Sequence, residues 1–254
     1  MVESYGMAKL IVVLNWKNYP SSLDEATALL KEMGKRRSLY KKVSMFIAPP
    51  YPYLELVSSR GWFSKLAVQD VSLYQRGVHT GEISTEILKS LGVRLAIVGH
   101  SERRAMGETA EAVSKKARFA IRAGITPLIC FGERERDHDG EHFEFLRHEL
   151  RLLLAGISKK DAKKICLAYE PTWAIGRDYR GVVSPEDLSE TVVFVKKILS
   201  DIFGRRIAEA ISILYGGSVE PANVEKLSIS GIGGFLIGHA SLKAKSIELI
   251  VKLL

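Results

Sequence analysis

The feature that most constrains the fold of this sequence is a series of eight short apolar runs, rich in β-branched residues and spaced along the whole chain. Runs of this length and composition are typical of strands. They occupy residues 11–14, 43–48, 66–68, 95–98, 127–131, 165–169, 211–215 and 235–237. Segments with helical periodicity lie between them, so strands and helices alternate through the 254 residues. This alternation predicts a closed (β/α)8 barrel of the α/β class.

Helix-start signals support the alternation. Ser22 precedes an acidic turn that ends at Glu25, and Ser184 is followed by Pro185 and Asp187 at the positions that favour a capped helix start. The last fifteen residues, ASLKAKSIELIVKLL, are expected to form a closing helix. No linker, repeat or low-complexity block interrupts the chain. We therefore predict a single domain over residues 1–254, with residues 1–8 as an N-terminal extension.

A doubly wound parallel sheet is the alternative fold. It needs fewer strands and often carries a glycine-rich turn after the first strand. The residues after the first run contain no glycine, and GIGGFL at 231–236 departs from the dinucleotide-binding pattern at its last position. The barrel is therefore favoured.

Charge and cysteine content narrow the classes of function. The net charge is +8, but the basic residues are spread along the chain and form no stripe interleaved with aromatic residues. This distribution argues against nucleic-acid binding and favours a solvated surface that also attracts an anionic substrate. Cys130 and Cys166 each lie inside an apolar run, as expected for small core residues in a reducing compartment. With no signal peptide or membrane-spanning run, we expect a cytoplasmic protein that does not bind membranes.

Polar residues follow the ends of most of the predicted strands. In a barrel the active site gathers at the carboxyl ends of the strands. The residues at these ends are Asn15, Lys17, Gln69, His100, Glu102, Glu170, 216–218 and 238–239. Glu170 ends an apolar strand on a carboxylate, which buried positions avoid unless it is paired or used. A carboxylate, an imidazole, a lysine and an amide on one rim suit enolisation chemistry.

Glycine-rich turns follow the last two predicted strands, at 215–218 and 237–240. Barrels often bind phosphate at this place through backbone N–H groups and a helix N-terminus. The substrate is therefore expected to be a small phosphorylated molecule. No serine elbow of the G-x-S-x-G type is present, so covalent acyl transfer is poorly supported.

Six motifs together resemble the triosephosphate isomerase family. They are NWK at 15–17, TGEIS at 80–84, VGHSERR at 98–104, AYEPTWAIG at 168–176, YGGSV at 215–219 and GGFLIGHASL at 233–242. They span nearly the whole chain. The resemblance implies a TIM barrel that interconverts dihydroxyacetone phosphate and D-glyceraldehyde 3-phosphate through an enediolate, without a metal or an organic cofactor. The glutamate base, neutral histidine and closing loop of that reaction are properties of the family.

The resemblance also implies roles for individual residues. Glu170 resembles the base, and His100 resembles the neutral electrophile that hydrogen-bonds the substrate oxygens. Lys17 would supply positive charge, Asn15 an amide donor, and Glu102 the acid beside the lysine. The positions that match phosphate-binding backbone N–H groups are Gly176, Ser218, Gly238 and His239.

Two segments that match the family carry further expectations. Residues 171–183 would form a lid that closes over the phosphate and includes Trp173. The loop at 73–82 resembles the one that a subunit inserts beside its partner's site, so a homodimer is expected, with Thr80 near Asn15 and Lys17 of the other subunit.

The sequence departs from the family at several positions. The segment 177–183 differs from the usual lid sequence and is about two residues longer by this comparison. His239 stands where glycine is usual, Asp70 where asparagine is usual, and Leu14 where glycine is common. These changes bear on substrate affinity and on the lid more than on the type of reaction.

The sequence also permits other interpretations of single residues and motifs. Taken alone, Glu170 could be a partner in a buried ion pair, and His100 could be a core histidine. Gln69 and Glu133 could simply bond side chains inside the barrel mouth. HDGEH at 138–142 matches a zinc-protease pattern, but Gly140 argues against it and a solvated helix start is favoured. Two other functions are possible. The protein could be a different phosphate-binding barrel isomerase, or a barrel that has lost activity and serves as a basic binding module.

Overall fold

Eight parallel strands close into one barrel in chain order, with β1 paired to both β2 and β8. This computed structural model describes residues 9–60, 64–137, 139–174 and 183–254. The strands are β1 (Ile11–Asn15), β2 (Ser44–Ala48), β3 (Lys65–Val68), β4 (Leu95–Val98), β5 (Thr126–Phe131), β6 (Cys166–Tyr169), β7 (Ser212–Tyr215) and β8 (Gly234–Ile237). Each predicted run coincides with one strand to within one residue at either end. The barrel prediction is confirmed, and a doubly wound sheet is excluded.

Helices connect the strands and surround the barrel. They are α1 (Leu23–Gly34), α2 (Arg37–Tyr40), α3 (Leu54–Arg60), α4 (Thr85–Ser90), α5 (Ser101–Ala105), α6 (Ala110–Arg122), α7 (Glu141–Leu153), α8 (Pro185–Phe203), α9 (Arg205–Ala210), α10 (Val224–Leu227) and α11 (Ala244–Leu253). Short 3₁₀ helices occupy Tyr51–Tyr53, Ala162–Lys164, Thr172–Ala174 and His239–Leu242.

The predicted helix starts are confirmed by their caps. The Ser22 hydroxyl accepts the Glu25 N–H at 3.2 Å, and the Ser184 hydroxyl accepts the Asp187 N–H at 3.0 Å. The closing helix begins later than expected. Residues 239–242 form a separate 3₁₀ helix, and Lys243 takes an extended conformation before α11 begins.

Alternation along the strands divides the core into two layers. In β4, for example, Leu95 and Ile97 belong to the cluster inside the barrel, whereas Ala96 and Val98 pack under the helices. Successive strand side chains point to opposite faces. The same alternation runs on from Val13 to Asn15 in β1 and from Ala168 to Glu170 beyond β6. Both polar side chains therefore face the barrel axis at its mouth.

Both cysteines are buried and unpaired, which confirms their prediction as core residues. Burial raises the pKa of Cys166 to about 11. Burial and the neighbouring Glu170 carboxylate raise the pKa of Cys130 well above its ordinary value. Both groups therefore remain thiols near neutral pH.

We expect neither thiol to be labelled by iodoacetamide at pH 8 while the protein is folded, because alkylation requires an accessible thiolate. Mass spectrometry of the labelled chain checks this, with the guanidinium-unfolded protein as the positive control. Rapid modification of either cysteine in the folded protein would contradict the prediction.

No helix in the described ranges is long and apolar enough to cross a membrane.

Candidate active site

Asn15 and Lys17 lie where β1 leaves the barrel. Asn15 is buried, and its side-chain oxygen accepts the Lys17 N–H at 3.0 Å. Lys17 has a φ of +53°, and no other non-glycine residue in the described ranges has a positive φ. The Gln69 amide donates to the Lys17 carbonyl at 2.7 Å and to the Ala48 carbonyl at 3.0 Å. Gln69, whose role the sequence left open, therefore supports a strained backbone of the kind that occurs at functional sites.

Glu102 pairs with the lysine. The Lys17 ammonium lies 2.6 Å from Glu102 Oε1, and both side chains are partly open to solvent. The pair spans the ends of β1 and β4. It orients the ammonium group over the barrel mouth while leaving it accessible to an anionic ligand.

His100 caps the N-terminus of α5 with its ring. The Nδ1 atom accepts the Glu102 N–H at 3.2 Å, so Nδ1 carries a lone pair and the ring hydrogen is assigned to Nε2. This is the neutral form of the imidazole. The Nε2 atom lies 3.3 Å from Oε1 of Glu170.

Glu170 is almost completely buried, with 2% of its surface exposed. Its backbone N–H donates to the Phe131 carbonyl at 2.8 Å, which extends the pairing of β5 and β6 beyond the strands. Its Oε2 atom accepts the Ser101 N–H at 2.9 Å. A buried carboxylate is stable only with such partners. Glu170 and His100, from β6 and β4, thus face each other at the mouth of the barrel.

Two glycines leave room for Glu170. A Cβ atom on Gly132 would lie 2.1 Å from the Glu170 carbonyl oxygen, and one on Gly216 would lie 2.8 Å from Glu170 Cγ. Any side chain at either place would displace the carboxylate or its backbone. The sequence pattern placed 216–218 at a strand end and in a phosphate-binding turn, and nothing in it pointed to Gly132. A glycine after a strand is the only local signal, and it does not reveal which residue the backbone will approach.

Glu133 links β6 to the segment that follows Glu170. The Glu133 Oε1 atom accepts the Tyr169 hydroxyl at 2.7 Å and the Trp173 indole N–H at 2.9 Å. Glu133 therefore bonds side chains beside the barrel mouth, one of the roles considered for it. Trp173, expected on the lid, lies in the 3₁₀ helix Thr172–Ala174. Residues 175–182, which hold Gly176 and most of the predicted lid, lie outside the described part of the chain.

The other predicted phosphate residues lie on the turns after β7 and β8. Ser218 is exposed, and its carbonyl accepts the Asn223 side-chain amide at 2.8 Å. A Cβ atom on Gly238 would lie 3.2 Å from Lys17 Cε, so this turn lies against the lysine. His239 begins a 3₁₀ helix and has no positive φ. The backbone there accepts a residue other than glycine without strain.

Asp70, where the family usually has asparagine, lies in a partly buried ion-pair cluster. The Lys116 ammonium contacts Asp70 Oδ2 at 2.7 Å and Glu108 Oε1 at 2.5 Å, and Arg103 lies 3.0 Å from Asp70. Burial raises the pKa of Asp70. The extra carboxylate therefore has two cationic partners, Lys116 and Arg103.

The HDGEH segment forms no metal group among the described residues. His138 lies outside them. Gly140, with a φ of +84°, precedes α7 instead of lying within it. The expectation of a solvated helix start is wrong for His142, which is buried with Nδ1 2.9 Å from Asp137. Asp137 also accepts the N–H groups of Glu141 and His142 as a cap, which draws the histidine inward.

Comparison with known proteins gives consistent full-length matches. The sequence model of the family described as triosephosphate isomerase matches residues 10–254. The triosephosphate isomerase of Dictyoglomus thermophilum is 36% identical over 97% of this chain and 100% of its own length. The enzyme of the same name from Clostridium botulinum is 34% identical over 96% of this chain and 99% of its own. That of Dictyostelium discoideum is 38% identical, over 89% of this chain and 88% of its own.

The family model covers the whole barrel and every strand end that carries the residues described above. They agree with the resemblance of the six sequence motifs and with the closed eight-stranded barrel. The chain belongs to the triosephosphate isomerase family, and its activity is that of a triose-phosphate isomerase of glycolysis and gluconeogenesis.

Proposed function

We propose that Glu170 and His100 carry the proton transfer of this isomerase. Glu170 removes a proton from C1 of dihydroxyacetone phosphate, which leaves an enediolate. The hydroxyl proton on O1 is transferred to O2, and Glu170 returns a proton to C2, which gives D-glyceraldehyde 3-phosphate. The Nε2–H of His100 donates to the substrate oxygens as negative charge develops on them. The observation that carries the proposal is the 3.3 Å approach of His100 Nε2 to the buried Glu170 carboxylate.

Lys17 and Asn15 complete the site in this proposal. The Lys17 ammonium stabilises negative charge on the substrate, and Asn15 supplies a neutral amide donor. Phosphate binds at the turns after β7 and β8 through backbone N–H groups of Ser218, Gly238 and His239, together with Gly176. The closeness of Gly238 to the Lys17 side chain supports this arrangement, because it brings the phosphate turn beside a positive charge. No metal or organic cofactor is required by these steps.

A coupled assay in both directions tests the reaction. Dihydroxyacetone phosphate and D-glyceraldehyde 3-phosphate are each supplied alone, and the other triose phosphate is detected with its own dehydrogenase. We expect turnover of both. Turnover of another phosphosugar alone would favour a different barrel isomerase, and no turnover with retained phosphate binding would favour a barrel that only binds.

We also propose that the protein is a homodimer formed through the loop at 73–82. The Ser72 N–H donates to the Ile83 carbonyl and closes the neck of this loop, so its tip projects from the barrel. Val78 is 99% exposed at the tip, and Met106, on the rim after β4, is 79% exposed. Exposed apolar residues on a projecting loop are typical of an interface. Burial against a second copy would bring Thr80 near that copy's Lys17.

Thr80→Arg is expected to dissociate the dimer. An unpaired charge buried in an interface costs about 3–5 kcal/mol, which raises the dissociation constant by at least about a hundredfold. Thr80 is exposed in the single chain, so the change should not affect folding. Sedimentation velocity over a range of concentrations, with activity measured at each, checks this.

Ser189→Arg is the matched control, because it places the same charge on an exposed position of α8. It should leave the dimer intact. An active wild-type monomer at assay concentration, or an unchanged dimer in Thr80→Arg, would refute the proposed interface.

The proposal includes a cytoplasmic location. Two buried, unpaired thiols support a reducing compartment. The role of residues 1–8 as an N-terminal extension stays a prediction, since they lie outside the described ranges.

A further inference from the structure

Glu149 is a buried carboxylate that the proposed mechanism does not use. It lies on α7, and its side chain is 9% exposed. It lines a cavity of about 800 Å³ that Glu170, Glu102 and Lys17 also line. Burial of a carboxylate is costly unless its oxygens are bonded. The partners of Glu149 therefore indicate what it does.

Both Glu149 oxygens have partners that lead to the catalytic residues. Oε2 accepts the Gly132 N–H at 3.1 Å, and Oε1 lies 3.4 Å from the Arg104 guanidinium. Arg104, on α5, also donates to the Glu108 carbonyl at 2.7 Å, which ties its guanidinium to the segment after that helix. One carboxylate thus joins the segment after β5 to the segment after β4.

The hydrogen bond from Gly132 to Glu149 supports the backbone of Glu170, the proposed base. Gly132 lies so close to Glu170 that a Cβ atom on it would be 2.1 Å from the Glu170 carbonyl oxygen. On either side of it, the Phe131 carbonyl accepts the Glu170 N–H at 2.8 Å and the Glu133 carbonyl accepts the Thr172 N–H at 3.0 Å. The position of residues 131–133 therefore sets the position of residues 170–172. The Gly132 N–H is held by Glu149.

The contact between Arg104 and Glu149 supports His100, which faces the proposed base. Arg104 belongs to α5, the helix that His100 caps and whose Ser101 N–H binds Glu170 Oε2. A shift of α5 relative to residues 131–133 would change the 3.3 Å separation of His100 Nε2 and Glu170 Oε1. Errors of about 1 Å in such positions can cost about a hundredfold in rate.

We infer that Arg104 and Glu149 form a brace that sets the distance between Glu170 and His100, so that Glu149 is a positioning residue of the isomerase. The inference rests on the proposed roles of Glu170 and His100. Glu149 has no contact with the reacting atoms in the proposed mechanism. Its effect passes through the Gly132 backbone on one side and through α5 on the other.

The test compares two substitutions at Glu149. Glu149→Leu removes the acceptor for the Gly132 N–H and the partner of Arg104, and we expect kcat to fall about 10- to 100-fold with KM changed by less than about threefold. Glu149→Gln keeps an oxygen for the Gly132 N–H but loses the acceptor that faces Arg104, so it should recover part of the lost kcat. Glu144→Leu is the matched control, since Glu144 is an exposed ion-pair residue on the same helix.

Binding of two inert ligands separates positioning from general loosening of the fold. 2-Phosphoglycolate presents a carboxylate where the enediolate forms, whereas glycerol 3-phosphate lacks that charge and binds mainly through its phosphate. Glu149→Leu should weaken 2-phosphoglycolate by about the factor lost in kcat and leave glycerol 3-phosphate within about threefold of wild type. Equal weakening of both ligands, or no recovery in Glu149→Gln, would overturn the inference.

Arg104→Leu gives a second route if Glu149→Leu does not fold, because the Arg104 side chain is partly exposed. The loss of kcat should match that of Glu149→Gln, with little change in KM, because both variants lose the Arg104 contact and keep the Gly132 hydrogen bond. A folded Arg104→Leu or Glu149→Leu variant with wild-type kcat would overturn the brace. Unimpaired turnover in Glu170→Asp would instead overturn the proposed role of the base, so the two failures are distinguishable.

Discussion

Glu170→Asp is expected to keep the fold and to lower kcat by about a hundredfold, because the shorter side chain withdraws the carboxylate from the carbon acid by about 1 Å. The backbone contacts of Glu170 do not depend on the side-chain length. Its N–H would still donate to the Phe131 carbonyl, and Gly132 and Gly216 would still leave room for its backbone and side chain. The loss should therefore appear in kcat, with KM little changed, because the phosphate sites are untouched.

Steady-state kinetics in both directions and circular dichroism of the purified variant check this prediction. Glu209→Asp is the control. Glu209 is an exposed residue of α9, just before the start of β7, so it lies at the end of the barrel opposite the site. It should behave as wild type. Near-normal turnover in a folded Glu170→Asp variant would remove Glu170 from the mechanism.

His100→Gln is expected to lower kcat by about a hundredfold or more, the usual effect of losing one donor to a developing oxyanion. Glutamine retains an oxygen that can accept the Glu102 N–H, so the start of α5 should persist. It lacks an imidazole Nε2–H at the same distance from Glu170 and the substrate oxygens. The chemical step is therefore impaired while substrate binding is largely kept.

The measurement is kcat and KM with each triose phosphate, together with the exchange of substrate protons with solvent deuterium followed by NMR. His148→Gln, on an exposed position of α7, is the matched control. An unchanged kcat in His100→Gln would leave the electrophile role without support, whatever the result for Glu170→Asp.

Local sequence patterns determined the strands and helix starts of this protein. The eight strands follow from short apolar runs, and the caps at Ser22 and Ser184 follow from residue types three positions apart. These features depend on neighbours within one turn or one strand, so they can be read from a short window of sequence. Once the barrel is assumed, strand alternation also places Asn15 and Glu170 on its axis.

Closure of the barrel decided the remaining features, because they join residues that are far apart in the chain. Gln69 bonds the Lys17 carbonyl across 52 positions, and Ser101 bonds Glu170 across 69. The sequence places a glycine at 132 and a glutamate at 149, but only the tertiary structure brings the Gly132 N–H to that carboxylate and its Cα against Glu170. Such contacts depend on how the ends of neighbouring strands and helices meet, which no periodicity within a single element records.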